Sequence, residues 1–265
     1  MTDTFSPAHR KLLNTVPLRA ASRIVTLEVP YEHDGEPMEG YLAVDETHEG
    51  RRPGVLILHD WGGLADYTRV RAQMLARLGY VAFAADVYGT GIRPEGDDAP
   101  KEAGKYYSNL ELLRARVAAG FRELQANPDV DPDRIVVIGY CFGGSAALEF
   151  ARTGAEVRGV VSFHGGLIAH DPSDADAVRA SLLILTGGSD PVVPDEAVVA
   201  FENELRAAAH VDWEVVTYSG APHAFTLPEA DHYRPLADAR SWRRFVDFLE
   251  EVTAERPTVD ADPGE

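Results

Sequence analysis

Residues 134–152 constrain this chain more than any other stretch. The apolar run Arg134-Ile-Val-Val-Ile138 enters Gly139-Tyr140-Cys141-Phe142-Gly143, and the chain leaves through Ser145-Ala-Ala-Leu-Glu-Phe-Ala-Arg152, a helical composition. Strand, tight Gly-x-nucleophile-x-Gly turn and helix together form a nucleophile elbow, here with a thiol at its tip. The glycines have a steric cause. The turn holds the nucleophile in a strained backbone conformation, and side chains at 139 and 143 would strike the neighbouring strand and helix. The alternative for Cys141, the only cysteine in the chain, is a small buried apolar residue. The strand-turn-helix context favours the nucleophile.

The surrounding pattern predicts an α/β fold with three αβα layers and a mostly parallel central sheet. Arg23–Val29 and Met38–Val44 alternate polar and apolar around the turn-rich 33–37, which predicts an N-terminal antiparallel hairpin. Gly54–Leu58, Tyr80–Ala85, Ile135–Ile138, Val157–Ser162, Ser181–Thr186 and Trp213–Tyr218 are mostly continuous apolar runs. Such runs belong to strands buried on both faces. Helices are expected at Thr68–Leu78, Leu110–Ala126, Ser145–Arg152, Pro194–Ala209 and Asp238–Val252, with ligands at the carboxyl ends of the strands. The connection from Tyr88 to Asn109 exceeds a routine βα loop and is expected to cover or rim the site. The expected organisation is an N-terminal arm over 1–22, whose first 20 or so residues form an arm or a short helix lying on the domain, one α/β domain over 23–253 and a disordered tail over 254–265.

A formal charge of −18 and a pI near 4.8 exclude the basic patch that a nucleic acid or an anionic membrane surface requires. The first residues lack the apolar core of a secretory leader, and no run of 18 apolar residues follows, so a cytoplasmic protein is expected. A lone cysteine forms no internal disulfide and needs a reducing compartment to stay reactive. His59, His164 and His170 fit no metal-ligand spacing, and Gly62-Gly63 opens no phosphate loop, so neither metal nor cofactor is expected.

An elbow nucleophile in an α/β-hydrolase fold is followed along the chain by an acid and then a histidine. After Cys141, the strand at 182–185 runs into Thr186-Gly-Gly-Ser-Asp190-Pro, and the strand ending at Tyr218 runs into Ser219-Gly-Ala-Pro-His223-Ala-Phe225. Asp190 is therefore the candidate orienting carboxylate and His223 the candidate base. A turn-forming Asp and an ordinary loop histidine are the alternatives. The oxyanion donors expected of this fold are the amides of Phe142, directly after the nucleophile, and Trp61, in the loop His59-Asp-Trp-Gly-Gly-Leu64 after the third strand.

These segments resemble the dienelactone hydrolase family of cysteine α/β-hydrolases from about Arg23 to Glu250. The carrying motifs are Gly139-Tyr-Cys-Phe-Gly-Gly144, Val161-Ser-Phe-His-Gly165, Gly187-Gly-Ser-Asp-Pro-Val-Val-Pro194 and Ala221-Pro-His-Ala-Phe-Thr226. The resemblance implies an ester or lactone hydrolase with a Cys141-His223-Asp190 triad. It also implies a carboxylate beside the resting thiol, which falls on Asp60 as a thiol gate; the alternative is a structural carboxylate bonded to loop amides. The family's substrate-carboxylate arginines fall on Thr90 and Leu227, so the clamp is missing unless Arg93 or Arg114 substitutes, and the named substrate does not carry over.

The expected pocket is lined by Tyr88, Arg93, Tyr106, Tyr107, His164 and Phe225. The expected function is hydrolysis of a small carboxylic ester or lactone through a thioester acyl-enzyme, with that small molecule as the partner. A thioesterase or amidase with the same triad, and a non-catalytic ligand-binding member of the fold, are the alternatives. A peroxide-reactive thiol would need a resolving cysteine, which the chain lacks.

Overall fold

The computed structural model of the protein describes residues 4–255. Eight strands form one sheet: β1 (Ile24–His33), β2 (Glu36–Asp45), β3 (Arg52–Leu58), β4 (Val81–Ala85), β5 (Val130–Tyr140), β6 (Gly159–Phe163), β7 (Ser181–Gly187) and β8 (Trp213–Tyr218). Their order is β1-β2-β4-β3-β5-β6-β7-β8. β1 pairs with β2, and β2 with β4, antiparallel; every other pairing is parallel. The hairpin turns at Asp34-Gly35, both in the left-handed region. Asp-Gly favours that conformation and matches the strand twist.

β3, β4, β6 and β7 are buried almost throughout, and alternate side chains feed two separate cores. Leu56 and Leu58 of β3 point to one face while Val55 and Ile57 point to the other. The first core is completed by α3 (Asp98–Tyr107), α4 (Leu110–Ala126), α5 (Phe142–Ala151) and α6 (Asp195–Ala207). The opposite core is completed by α1 (Pro7–Leu13), α2 (Asp66–Leu78) and α7 (Pro235–Thr253). The fold is the expected αβα sandwich with its N-terminal hairpin.

Two segments gain detail. The 88–109 connection is not irregular throughout, because α3 occupies its second half and buries Ala99, Ala103 and Tyr106. Its Gly- and Pro-rich beginning concealed the short amphipathic turn pattern. The segment before β1 contains α1, whose Leu12 and Leu13, with Phe5 and Val16, join the second core. Arg77 of α2 fastens it by donating to the carbonyls of Leu13 (3.0 Å) and Val16 (2.8 Å). The disorder expected for 254–265 falls, beyond Glu255, outside the described residues. Among the described residues no helix is long and apolar enough to cross a membrane.

Candidate active site

β5 ends at Tyr140 and α5 begins at Phe142, leaving Cys141 alone at the turn with φ 52° and ψ −113°. A non-glycine residue there is strained, and the surrounding structure must hold it. It does so with hydrogen bonds: Cys141 N–H donates to Phe163 O (2.9 Å), and Cys141 O accepts from Gly144 N (2.9 Å) and Ser145 N (3.2 Å). The glycine requirement is steric, as the sequence implied. A Cβ on Gly139 would lie 2.0 Å from Gly143 O, and one on Gly143 would lie 2.2 Å from Leu58 O.

The carboxyl ends of β5, β6, β7 and β8 follow one another along the same edge of the sheet, so residues 82 positions apart in the chain meet. His223 Nε2 lies 3.1 Å from Cys141 Sγ, and His223 Nδ1 lies 2.9 Å from Asp190 Oδ2. The other carboxylate oxygen, Oδ1, accepts from the amides of Val192 (2.8 Å) and Val193 (3.1 Å). Those two donors fix the carboxylate plane. The carboxylate oxygen accepts from the ring, so Nδ1 carries the ring proton and Nε2 faces the thiol. Burial works against charge on His223, but its hydrogen bonds to Asp190 and Cys141 outweigh this and raise its pKa to about 10.

Phe142, fully buried, is gripped by rings from three segments: His59 stacked at 5.9 Å, Tyr88 at 5.1 Å, and Tyr106 and Tyr107 edge-on at 5.9 and 5.5 Å. Its side chain anchors the backbone amide that follows Cys141. The loop carrying Trp61 is held just as firmly. Val87 N–H donates to His59 Nε2 (3.0 Å), which leaves His59 Nδ1–H to donate to Asp60 O (2.7 Å). Burial lowers the His59 pKa to about 4, so the ring stays neutral in this role. Asp86 organises the next loop, its Oδ1 accepting from Tyr88 N (3.1 Å) and Gly89 N (3.0 Å). Neither His59 nor Asp86 has a sequence signature for this work, since each acts through loop geometry that exists only once β3 and β4 are paired.

Asp60 Oδ1 accepts from Gly62 N–H at 2.8 Å, and burial raises the carboxyl pKa to about 6. Among the described residues the hydrogen bond of Cys141 Sγ is to His223, not to Asp60. Tyr88 is 3% exposed and its hydroxyl has no partner among the described residues. Burial raises its pKa, as do the nearby Tyr107, Asp60 and Cys141. The phenol therefore stands as a neutral donor close to both Asp60 and the thiol.

The other expected pocket residues separate into walls and supports. Tyr107 is half-exposed, packs on Phe142 and donates to Ser145 Oγ (3.3 Å); Trp61 is also half-exposed. Tyr106, Phe225 and His164 are buried, so they support the walls from behind. His164 sits at φ 41° with its ring 5.6 Å from that of His223. Its Nε2 shares a hydrogen bond with Thr226 Oγ1 (2.7 Å), which in turn meets Tyr67 OH (2.7 Å). Burial, and then the neighbouring His223, push its pKa well below the usual value.

Neither candidate replacement for the missing clamp is free. Arg114 is bound to Glu149 Oε2 at 2.7 and 3.1 Å, within a buried cluster that also holds Arg152 and His170. Arg93 lies 3.8 Å from Asp86 Oδ2, a wholly buried oxygen with no hydrogen bond of its own. That charge is thereby matched. Arg93 and Leu227 line one open cleft of about 690 Å³ beside the 59–64 loop, while Thr90 is exposed and its amide bonds Pro37 O (3.0 Å). Among the described residues no group of three or more His, Cys, Asp or Glu side chains could hold a metal ion.

Strand order and the elbow define an α/β-hydrolase fold, and Asp190, His223 and Cys141 lie in a hydrogen-bonded line at its strand ends. The family profile of the dienelactone hydrolases matches residues 38–253, and the chain belongs to the dienelactone hydrolase family. It is 30% identical over 230 residues to a probable 2-oxo-3-(5-oxofuran-2-ylidene)propanoate lactonase of a Bradyrhizobium species, covering 82% of this chain and 90% of that protein. Among solved structures it resembles a dienelactone hydrolase-like promiscuous phosphotriesterase from metagenomic libraries, at 35% identity and a TM-score of 0.84, over 87% of this chain and 99% of the other. The structure named m3DLH is similar to the same extent, at 37% identity and a TM-score of 0.84, with the same coverage.

Proposed function

We propose that the protein hydrolyses a small, neutral carboxylic ester or lactone through a thioester on Cys141. The observation that carries this reading is the hydrogen-bonded line Asp190-His223-Cys141 at a strained elbow. Cys141 Sγ, its proton held on His223 Nε2, attacks the carbonyl carbon, and the carbonyl π pair moves onto oxygen. The amides of Phe142 and Trp61 stabilise that oxyanion, and the Tyr88 hydroxyl donates to the bound substrate. Collapse breaks the C–O bond, and His223 gives its proton to the departing alkoxide, which in a lactone stays tethered to the acyl group. Water then gives a proton to His223 and attacks the thioester; expulsion of the thiolate releases the acid.

Neutrality of the substrate rests on Thr90 and Leu227 at the clamp positions and on the pairing of Arg93 with Asp86. The decisive experiment uses p-nitrophenyl esters, simple lactones, a carboxylated dienelactone and an aryl dialkyl phosphotriester, the last because of the phosphotriesterase similarity. Wild type is expected to cleave the neutral ester or lactone at least as well as the carboxylated one, and to carry an acyl adduct on Cys141 by intact-mass analysis with a slow ester. Cys141→Ala is expected to lose nearly all turnover while keeping its fold. Undiminished turnover in that variant would remove the nucleophile, and a strong preference for the carboxylated lactone would remove the neutral-substrate reading.

A further inference from the structure

A second cavity, of about 580 Å³, lies between α1 and the start of α7, and no residue of the triad or of the 59–64 loop lines it. Leu12, Pro228, Ala239 and Trp242 give it apolar walls, and Arg71, Tyr233 and Asp238 give it a polar floor. This volume, with mostly apolar walls and a few convergent polar groups, is the usual form of a small-molecule site.

The floor is unusual in its charge. Arg71 has essentially no exposure and is paired with Asp238, whose Oδ2 also accepts from Tyr233 OH at 3.0 Å. Arg71 makes further, longer contacts: Nε meets Tyr67 OH at 3.3 Å, Nη2 meets Thr226 O at 3.4 Å, Nη1 meets Met74 Sδ at 3.9 Å, and the guanidinium lies 5.2, 5.5 and 5.0 Å from the ring centroids of Tyr67, Tyr140 and Trp242. Lys11 lines the wall, is exposed, and forms no ion pair among the described residues. The lining thus carries two cations, Lys11 and Arg71, against the single carboxylate of Asp238, in a chain whose formal charge is −18. A locally cationic, apolar-walled cavity on so acidic a protein selects an anion attached to an apolar body.

We propose that this cavity is a second binding site, separate from the active site, for a small carboxylate with an aryl or medium-length alkyl body. The apolar part lies against Leu12, Pro228 and Trp242, and the carboxylate faces Lys11, with the buried Arg71–Asp238 pair beneath.

The test is calorimetric titration of the full chain with 4-phenylbutyrate, on wild type and on protein whose single cysteine has been carbamidomethylated to close the active site. Binding of one equivalent with the same affinity in both preparations is expected. Ala239→Trp, which fills the cavity from α7, is expected to weaken binding about tenfold or more, roughly 1.4 kcal/mol, with ester turnover unchanged. Lys11→Glu is expected to weaken it about fivefold, the scale of an exposed ion pair, and Lys11→Arg to retain it. The uncharged 4-phenylbutyramide should bind at least about tenfold more weakly than the acid. The proposal is overturned if no binding occurs at millimolar probe, if carbamidomethylation abolishes it, if a folded Ala239→Trp variant binds normally, or if the amide binds as well as the acid.

Discussion

Replacing Asp190 with Asn should disable the base by reversing its tautomer while leaving the fold almost untouched. The two oxygens of Asp190 face different demands: Oδ1 accepts from two amides, those of Val192 and Val193, and Oδ2 accepts from His223 Nδ1–H. An asparagine has one acceptor oxygen, and the two amide donors will claim it. Its NH2 group then faces His223, so Nδ1 must become the acceptor and the proton moves to Nε2, where it can no longer take the thiol proton. Turning the amide round would restore the productive tautomer but strand the buried N–H of Val193, at about 1–3 kcal/mol, and the part-buried N–H of Val192, at up to about 2 kcal/mol. A total of about 1–5 kcal/mol corresponds to a loss between about fivefold and several-thousand-fold, and the upper end approaches the effect of the same substitution in a serine triad, about 10⁴ in kcat. The assay is kcat/KM for p-nitrophenyl acetate near neutral pH, with the rate of iodoacetamide alkylation of Cys141 as a readout independent of substrate. Both should fall while the thermal midpoint holds. Turnover within about threefold of wild type would refute the tautomer argument, because a reversed imidazole cannot act as the base.

Further outcomes are expected from the same geometry. Because Asp190 and Cys141 raise the His223 pKa to about 10, kcat/KM should fall only above about pH 10, where the imidazolium loses the proton needed by the leaving group; in Asp190→Asn the falling limb of any residual activity should move to lower pH. Asp60→Asn should alkylate faster than wild type at neutral pH, since Asp60 is anionic above about pH 6 and a nearby negative charge disfavours thiolate; the difference should close below that pH, and superimposable profiles would reduce Asp60 to a loop brace for Gly62. Glu204→Ala removes both bonds, each 2.9 Å, that Glu204 makes to buried Arg152, and urea unfolding should show a loss towards the lower end of about 3–5 kcal/mol, because Glu149 remains as a partner.

What the sequence determined by itself was whatever depends on local sterics and on chain order. The elbow was legible because a strained nucleophile between a strand and a helix tolerates nothing larger than glycine at 139 and 143, and the 2.0 and 2.2 Å approaches of hypothetical Cβ atoms restate that demand in space. The parallel sheet was legible because a strand buried on both faces has to be apolar throughout, and the order Cys141, Asp190, His223 followed from strand succession. Composition concealed α3, since its few apolar positions follow a Gly- and Pro-rich lead, and for the first 20 or so residues it left an arm and a short helix lying on the domain both open. Tertiary structure alone decided how the clamp positions and charges are used: Arg93 is matched to Asp86 across two loops and Arg114 to Glu149 across two helices. It alone placed His164 behind the wall rather than in it, and it set the Lys11 and Arg71 cations around one cavity. The physical reason is that backbone strain and hydrophobic period act between neighbours in the chain, whereas burial, charge pairing and hydrogen-bond satisfaction belong to groups that become neighbours only after the sheet has formed.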